Sequence, residues 1–259
     1  RTFLAIFDSV EDASSAVSAT IASGLVPAAL ELIDRLGIQA VESHLKVGFP
    51  LDAEAVLLIE LEGAESEMAP WSDAVIAVCH AHHCRSVQWA EDEETRQRFW
   101  KGRKQALGAL GRLARAYYTL DGVVPRSRVP EALRRIGEIG AEAGLRIANV
   151  CHVGDGNMHP LILFDPEVPG EIDRVHRAGA LILELCVELG GALTGEHGIG
   201  LEKRELMPLY FTAVDLDQMR RVRRAFDPEE CCNPLKIFPT GARCGEFNSA
   251  RAERIGGWL

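Results

Sequence analysis

The sequence has no long apolar run, no excess of basic charge and no signature of a nucleotide-binding loop. Without about 18 consecutive uncharged apolar residues it offers no candidate transmembrane helix. The formal net charge is −10, from 28 Lys and Arg against 38 Asp and Glu, which argues against capture of nucleic acid or of an anionic bilayer. Neither G-x-G-x-x-G, a phosphate loop nor G-x-S-x-G occurs. If a nucleotide cofactor is used, another domain must therefore bind most of it.

The chain does not open on basic and then apolar residues, so the sequence predicts no secretory leader. The seven cysteines are an odd number, scattered without the spacing of a disulfide framework, which indicates reduced thiols in a cytoplasm-like compartment. The 259 residues include 47% hydrophobic and 25% charged side chains, a globular balance. The chain begins with Arg1 and enters a strand-like run at once, so we expect it to be part of a longer protein.

Strand-like and helix-like stretches alternate, which predicts a mixed α and β fold without a repeat or a domain boundary. The predicted strands cover residues 3–7, 55–61, 86–90, 117–124, 145–152 and 159–164. The predicted helices cover residues 11–23, 27–35, 70–83, 91–114, 129–143, 172–189 and 216–226. The tail from residue 227 is typical of a loop, because it is rich in Pro, Gly and Cys.

The clearest chemical motif is H-x-G-D-G-N-x-H, from His152 to His159. It is a tight turn between two predicted strands, so both imidazoles can face each other at the mouth of a hairpin. Imidazoles held in this way can share one divalent metal. Asp155 and Asn157 also favour turns, so a plain hairpin with two polar ends is an open alternative.

The second motif is G-E-H-G-I-G at residues 195–200, which follows two further glycines. So many glycines are costly in a packed element, and they favour close approach of the backbone to a ligand. Glu196 could complete a metal set of two histidines and one carboxylate, and His197 beside it would be placed to act as a base. A glycine-rich turn with a solvated Glu–His pair is the alternative.

Other polar groups give weaker signals. Arg103 could anchor a substrate carboxylate through its planar fork of donors, although by itself it reads as a surface arginine on a charged helix. The run from Cys79 to Cys84 contains three histidines but ends a predicted helix, where only pairs such as His80 and Cys84 share a face. Cys231 and Cys232 are adjacent rather than in C-x-x-C spacing, so neither group is expected to bind metal.

Taken in order, these motifs resemble the C-terminal half of the FAD-linked oxidases related to vanillyl-alcohol oxidase, near their glycolate- and D-lactate-oxidising members. The resemblance is carried by residues 24–34, 99–104, 121–126, 152–159, 195–200, 226–228, 233–236 and 239–247. It implies an α+β fold, with helices packed on a ferredoxin-like antiparallel sheet and a C-terminal helical tail. It further implies a cap in residues 1–200 that bears the substrate and metal site. Residues 201–259 would return to an FAD domain that precedes Arg1.

The resemblance also implies roles for individual residues. It assigns the divalent-metal ligands to His152, His159 and Glu196, the base to His197, the carboxylate clamp to Arg103, and flavin contacts to Asn157 and Asn233. The metal would be zinc or manganese. Leu235 stands where the family tail usually has Gly, and Thr119 where the 2-hydroxyglutarate enzymes carry a lysine, which favours small monocarboxylate substrates.

The function that the resemblance implies is oxidation of glycolate or D-lactate to the 2-oxo acid, with hydride transfer to FAD. The implied partners are the 2-hydroxy acid substrate, the N-terminal FAD domain, an iron–sulfur subunit and a second flavin-domain subunit, and no nucleic acid. The location would be cytoplasmic, or peripheral at the inner face of the membrane through those subunits. From the residues alone, a zinc-dependent hydrolase and a non-catalytic module that docks an iron–sulfur partner stay open.

Overall fold

An antiparallel sheet of seven strands runs through the computed structural model, which describes residues 1–240. Its first half, residues 2–89, holds four strands in the spatial order β4-β1-β3-β2. These strands are β1 (Thr2–Phe7), β2 (Ala29–Asp34), β3 (Ala55–Glu60) and β4 (Ser86–Trp89). The helices that connect them are α1 (Val10–Ala22), α2 (Arg35–His44) and α3 (Glu65–Ala81). This is the strand order of a ferredoxin-like unit.

The second half of the sheet, residues 116–192, repeats this order with one strand missing. Two helices lead into it, α4 (Glu93–Lys104) and α5 (Ala106–Leu110). Its elements are β5 (Ala116–Thr119), β6 (Gly122–Val123), α6 (Val129–Ala143), β7 (Arg146–Cys151), β8 (Asn157–Met158), β9 (Pro160–Phe164) and α7 (Glu171–Glu188). Strands β7, β9 and β5 take the positions of β2, β3 and β1. Where a counterpart of β4 would follow α7, a single bridge joins Ala192 to Val123.

The two halves meet at a short seam between β2 and β7. Only Leu32 with Cys151 and Ile33 with Val150 are paired there. The Asp34 carboxylate continues the connection, because it accepts hydrogen bonds from the backbone N (2.6 Å) and Nδ2 (3.0 Å) of Asn149. Burial raises the pKa of Asp34 to about 6, against the lowering effect of these hydrogen bonds.

Helices cover both faces of the sheet. Because strand side chains alternate between faces, Leu30 and Leu32 pack toward α1, α3, α6 and α7, while Ile33 packs toward α2, α4 and α5. Glu31 lies between Leu30 and Leu32 in the strand, so its side chain points to the opposite face, the one that Ile33 occupies. The chain continues into α8 (Met207–Tyr210) and α9 (Ala213–Phe226), where Leu216 is the only buried residue of α9. No helix within residues 1–240 is long and apolar enough to cross a membrane.

The α+β class with an antiparallel ferredoxin-like sheet is confirmed, but the predicted helix at residues 27–35 is wrong. That segment is the central strand β2, bonded to β3 on one side and to β7 on the other. Alanine, leucine and glutamate favour helices, so local propensity pointed the wrong way. Burial between two strands that are distant in sequence decides its conformation, and the helix α2 begins only at Arg35.

Several further elements differ from the prediction, among them α9, which begins at Ala213 and not at residue 216. The predicted helix at residues 91–114 is interrupted at Gln105 (φ −102°, ψ 6°), and the predicted strand at 117–124 is divided between β5 and β6. Helix α3 begins five residues before Pro70. Helix α6 is confirmed to the residue, because Gly144 takes the left-handed conformation (φ 64°) that ends it.

Candidate metal and active site

The predicted hairpin forms and brings the two motif histidines together. Strand β7 ends immediately before His152 and β9 begins immediately after His159. The turn closes through a hydrogen bond from the backbone N of Asn157 to the carbonyl of His152 (3.1 Å). The imidazole centroids of His152 and His159 are 5.3 Å apart and nearly perpendicular.

Each histidine is held through its Nδ1 atom. His152 Nδ1 donates to Oε1 of Glu31 (2.8 Å), and His159 Nδ1 donates to the carbonyl of Leu120 (3.0 Å). The Nε2 atom of each ring is left to face the Gly-rich loop. A carboxylate or carbonyl on the far nitrogen is the usual way in which proteins orient a metal-binding histidine. Both Nε2 atoms are thereby directed toward the loop, where they could bind a metal, although Nη2 of Arg103 also lies 3.4 Å from Nε2 of His152.

Glu196 and His197 complete the group. Oε1 of Glu196 lies 2.9 Å from Nε2 of His159 and 3.9 Å from Nε2 of His152. Nε2 of His197 lies 3.9 Å from the same oxygen, and its ring stacks on His159 with centroids 5.2 Å apart. The side chains of Glu196 and His197 are about half exposed, so the group opens to solvent on this side.

Asp121 holds the loop that carries Glu196 and His197. Its carboxylate accepts hydrogen bonds from five donors: Thr194 Oγ1, the backbone N of Gly195, Glu196 and His197, and Lys203 Nζ. Burial by itself raises the pKa of Asp121. The hydrogen bonds, first of all from Thr194 and His197, outweigh that effect and hold the pKa well below its usual range.

These side chains fit one divalent metal. One ligand atom from each of Asp121, His159, Glu196 and His197 lies within 4.8 Å of the others, and no other such group occurs among residues 1–240. The Asp121 oxygens already accept five donors, which makes them poor ligands. His152 lies outside this group of four, and its Nε2 is 3.9 Å from Oε1 of Glu196. If His152 joins His159 and Glu196, the three side chains give the set of two nitrogens and one oxygen that suits an open zinc or similar site.

The environments of the two histidines differ. The hydrogen bond that His152 Nδ1 donates to Glu31 is the main reason that the pKa of His152 is raised. Desolvation is the main reason that the pKa of His159 is lowered. A lowered pKa keeps an imidazole neutral near pH 7, which is the form that binds a metal.

Arg103 lies beside this group but is not a surface residue. Its guanidinium is buried in the last turn of α4, with Nε donating to Oε2 of Glu31 at 2.7 Å. Nη2 is 3.4 Å from both ring nitrogens of His152. The expectation of a surface arginine is therefore wrong, because the charge is desolvated against a buried carboxylate.

Asn157 faces a cleft of about 400 Å³ lined by Val123, His152, Asp155, Asn157, Gly195 and Glu196. Its Oδ1 is buried and has no hydrogen-bond partner among the described residues. Gly195 packs against its amide so closely that a Cβ there would lie 2.7 Å from Asn157 Cγ. A glycine is therefore required at that point of the loop.

Asn233 is not brought to the site. It lies exposed in the tail, where Nη2 of Arg223 donates to its carbonyl (3.2 Å). Leu235 nearby has a φ of 66°, a left-handed conformation that glycine, the residue that the resemblance implies here, adopts without strain. The end of the quoted resemblance, residues 241–247, lies outside the described residues.

The other polar groups stay apart from the site. His80 Nδ1 lies 3.3 Å from Cys84 Sγ, although α3 ends at Ala81 and Cys84 lies beyond the helix. Cys231 and Cys232 are exposed, and both backbone N–H groups donate to Asp227.

Three residues of the site were missed from the sequence: Glu31, Asp121 and Lys203. Glu31 lies in a segment that the sequence predicts as a helix and that forms a strand. Its partners Arg103 and His152 are distant in the chain. Asp121 lies within residues 121–126, a stretch that carries the family resemblance and could have marked it as a site residue. Nothing in the local sequence, however, connects it to the loop at 194–198.

The sequence matches the family described as FAD linked oxidases, C-terminal domain, over residues 1–237. It is 47% identical over 249 residues to "Glycolate oxidase subunit GlcD" of Escherichia coli (strain K12), covering 96% of this chain and 50% of that protein. It is 28% identical over 235 residues to "D-lactate dehydrogenase [cytochrome], mitochondrial" of Arabidopsis thaliana, covering 90% of this chain and 41% of that protein. The chain thus spans about half the length, or less, of these relatives.

The fold has solved counterparts as well. The 4-ethylphenol oxidase from Gulosibacter chungangensis superimposes with a TM-score of 0.67 over 93% of this chain and 54% of that chain, at 13% sequence identity. At that identity the likeness concerns the fold alone. With the family match across almost all of its described length, the chain belongs to the FAD-linked oxidases, and residues 1–237 form their C-terminal domain.

Proposed function

We propose that this chain is the substrate- and metal-binding part of an FAD-dependent dehydrogenase that oxidises glycolate or D-lactate to the 2-oxo acid. The observation that carries the proposal is the convergence of His152 Nε2, His159 Nε2 and the Glu196 carboxylate, with His197 beside them. The names of the relatives, a glycolate oxidase subunit and a D-lactate dehydrogenase, support the substrate class.

The three ligands and the base divide the work. A divalent metal, zinc or manganese, would supply Lewis-acid polarisation of the substrate hydroxyl, and FAD on the other part of the protein would supply the hydride acceptor. His197 is half exposed beside Glu196, where it would accept the proton of the substrate hydroxyl. Glu31 and Leu120 hold the two ligand rings in place throughout.

Arg103 would fix the substrate carboxylate at the inner end of the site. Its Nη2 atom reaches His152, while its Nε atom is taken by Glu31. The Glu31 carboxylate therefore holds both the arginine and the histidine, and it sets the spacing between the carboxylate anchor and the metal. Holding the acid at two points would orient C2 toward the flavin.

Contacts with the flavin would come from Asn157 and from the tail. The buried, unpaired Oδ1 of Asn157 supports a ligand in the adjoining cleft. In the tail, Val214, Val222 and Phe226 of α9 are each more than 60% exposed, as is Leu235. Apolar side chains in such number favour a covered surface. We place the FAD domain there, with residues 1–200 as the cap and 201–259 as the returning tail; Asn233 lies in that tail.

Further subunits are part of the proposal. One relative is named as a subunit, which supports an assembly with other chains. An iron–sulfur subunit and a second flavin-domain subunit would serve as electron acceptors in a cytoplasmic complex. These two subunits could also attach the complex to the inner face of the membrane.

The metal assignment is tested by substitution in the full-length protein. We expect His152→Ala, His159→Ala and Glu196→Ala each to lose most of the zinc or manganese bound after reconstitution and dialysis, measured by inductively coupled plasma mass spectrometry. The fold should survive in His152→Ala and Glu196→Ala, because the first side chain lies at the hairpin mouth and the second on the loop, and both are partly exposed to solvent.

His176→Ala is the matched control. His176 is a partly buried histidine that packs on Tyr118, away from the metal group, so its loss should leave the metal content unchanged. Equal metal content in the wild type and all three ligand variants would contradict the assignment.

Substrate size is tested at Thr119. Its Oγ1 is buried without a partner among the described residues, and the residue pairs with Leu161, which packs on the α4–α5 face. Lys203 is paired with Asp121, so within residues 1–240 we expect no free cation for a second carboxylate, whose burial would cost several kcal/mol. We expect kcat/KM to favour glycolate or D-lactate over D-2-hydroxyglutarate by at least about tenfold (about 1.4 kcal/mol).

The variant Thr119→Lys should narrow this preference, and Thr119→Met, which adds length without charge, should not. A wild-type preference for D-2-hydroxyglutarate would contradict the substrate proposal, and it would place a further cation in the FAD domain.

A further inference from the structure

A buried carboxylate lies underneath the Gly-rich loop and is not itself free to react. The side chain of Asp121 is fully buried, and the loop from Thr194 to Gly198 wraps around it. Three consecutive backbone N–H groups, those of Gly195, Glu196 and His197, donate to its oxygens at 2.9–3.1 Å. Successive N–H groups aimed at one point are the arrangement by which a backbone binds an anion. Here the anion is a side chain of the protein itself.

Two more donors fix the same carboxylate. Thr194 Oγ1 donates to Asp121 Oδ2 at 2.5 Å and accepts from the backbone N of Gly198 at 2.8 Å, so it ties both ends of the loop. Lys203 Nζ donates to Oδ2 at 3.0 Å from a side chain that is 3% exposed. An unpaired buried ammonium is costly, so each charge requires the other.

This arrangement constrains the two functional side chains. Glu196 and His197 are neighbours in sequence, and both of their amides are tied to Asp121. Their side chains nevertheless reach one site, where the Glu196 carboxylate meets His159 at 2.9 Å. The loop is rich in glycine, and beyond Gly195 a Cβ at Gly198 or Gly200 would have no neighbour within 4 Å. Its conformation therefore depends on the carboxylate beneath it.

We propose that Asp121, with its counterion Lys203, is a positioning residue that sets the conformation of the loop carrying Glu196 and His197. Asp121 acts through the loop backbone and contributes no ligand. The inference deepens the proposed function, on which its metal readout rests, but its backbone readout does not depend on that function.

The backbone readout is hydrogen–deuterium exchange by mass spectrometry on metal-free, full-length protein, followed in a peptide that covers residues 194–200. In Asp121→Asn an NH₂ group replaces one acceptor oxygen and faces backbone donors, while Lys203 loses its counterion. We expect exchange of the loop amides to become at least about tenfold faster. Thr194→Val removes one donor only and should give a smaller increase, which keeps the test decisive if Asp121→Asn does not fold.

Asp34→Asn is the matched control. Asp34 is another buried aspartate that accepts backbone N–H groups, from Gly37 and Asn149, but it lies at the seam and outside the loop. Loop exchange in this variant should equal that of the wild type. Unchanged loop exchange in both Asp121→Asn and Thr194→Val would overturn the proposal, as would equal acceleration in Asp34→Asn.

The metal readout is titration with zinc alone by calorimetry. Loss of a group that orients ligands typically weakens metal binding 10- to 100-fold, and we expect this range for Asp121→Asn. Wild-type zinc affinity in a folded Asp121→Asn would overturn the positioning role. If the wild type itself binds no zinc, the proposed metal site fails, and the exchange experiment alone decides the role of Asp121.

Discussion

The two halves of the sheet share a strand order but differ in how they end. In the first half, the chain returns from α3 and adds β4 to β1 over four paired residues, Ser86 to Trp89. In the second half, the chain returns from α7 and makes only the bridge between Ala192 and Val123. Where the fourth strand is missing, the chain instead turns into the loop that bears Glu196 and His197.

The comparison indicates that the candidate site forms in the half of the sheet that lacks its fourth strand. A completed sheet pairs its backbone with a neighbouring strand, as β1 does on both sides. In the interrupted half only a single bridge joins the returning chain to β6, and the residues after it wrap around Asp121 and project polar side chains. The first half contributes Glu31 to the site, across the seam, and otherwise serves as a framework. Substitutions in the two halves should therefore have separable effects.

The largest effect is expected for chemistry in the second half. His197→Ala should lower kcat/KM by about 10²–10⁴-fold, the usual contribution of a general base. Metal content and the unfolding midpoint should stay at wild-type values, because the side chain is about half exposed and is not among the proposed ligands. Steady-state kinetics on the full-length enzyme, with an artificial electron acceptor, measures the loss. An unchanged kcat/KM would contradict the assignment of the general base to His197.

The framework role of the first half is tested at Leu57 in the centre of β3. The residue is 1% exposed and pairs with Ala5 and Leu32 on its two sides. Leu57→Ala should reduce the free energy of unfolding by about 2–5 kcal/mol, through lost burial and a cavity. Zinc bound per folded molecule should not change. Urea unfolding measures the loss, and Leu181→Ala, at a half-exposed leucine in α7, should cost far less.

The seam gives the smallest of the three effects, and it depends on pH. The pKa of Asp34 is raised to about 6 in the folded protein from 3.8, so folding favours the protonated carboxyl. Its contribution to stability is fully present below about pH 4 and is lost as the pH rises through about 6. Lowering the pH from 7 to 4 should therefore stabilise the wild type relative to Asp34→Asn. The difference between their free energies of unfolding should change by up to about 3 kcal/mol. A difference that is constant with pH would contradict this.

Local signals predicted local structure. Helix α6 was predicted to the residue because a glycine ends it, and the hairpin of β7 and β9 because a G-D-G-N turn joins two apolar runs. Strand β2 was not, because its conformation comes from β3 and β7 and not from its own composition. The separation of β5 from β6 likewise depends on different partners, β9 and β8.

The same division holds for the site. His152, His159, Glu196 and His197 stand in two compact motifs, and the structure places them together. Glu31 and Asp121 lie in stretches that carry the resemblance, 24–34 and 121–126, but nothing in those stretches links either residue to the two motifs. They hold the others through hydrogen bonds that span 121 and 74–76 residues of sequence, which no single-sequence pattern reveals.

The hydrogen bond between Glu31 and His152 also bears on the order of folding. The two residues lie on opposite sides of the two-residue seam, so this contact closes a chain loop of 121 residues. Closing so long a loop costs entropy that local contacts do not recover. During synthesis, the site cannot assemble until residue 197 has left the ribosome and both halves have docked. Occupancy of the metal site would then report that assembly of the domain is complete.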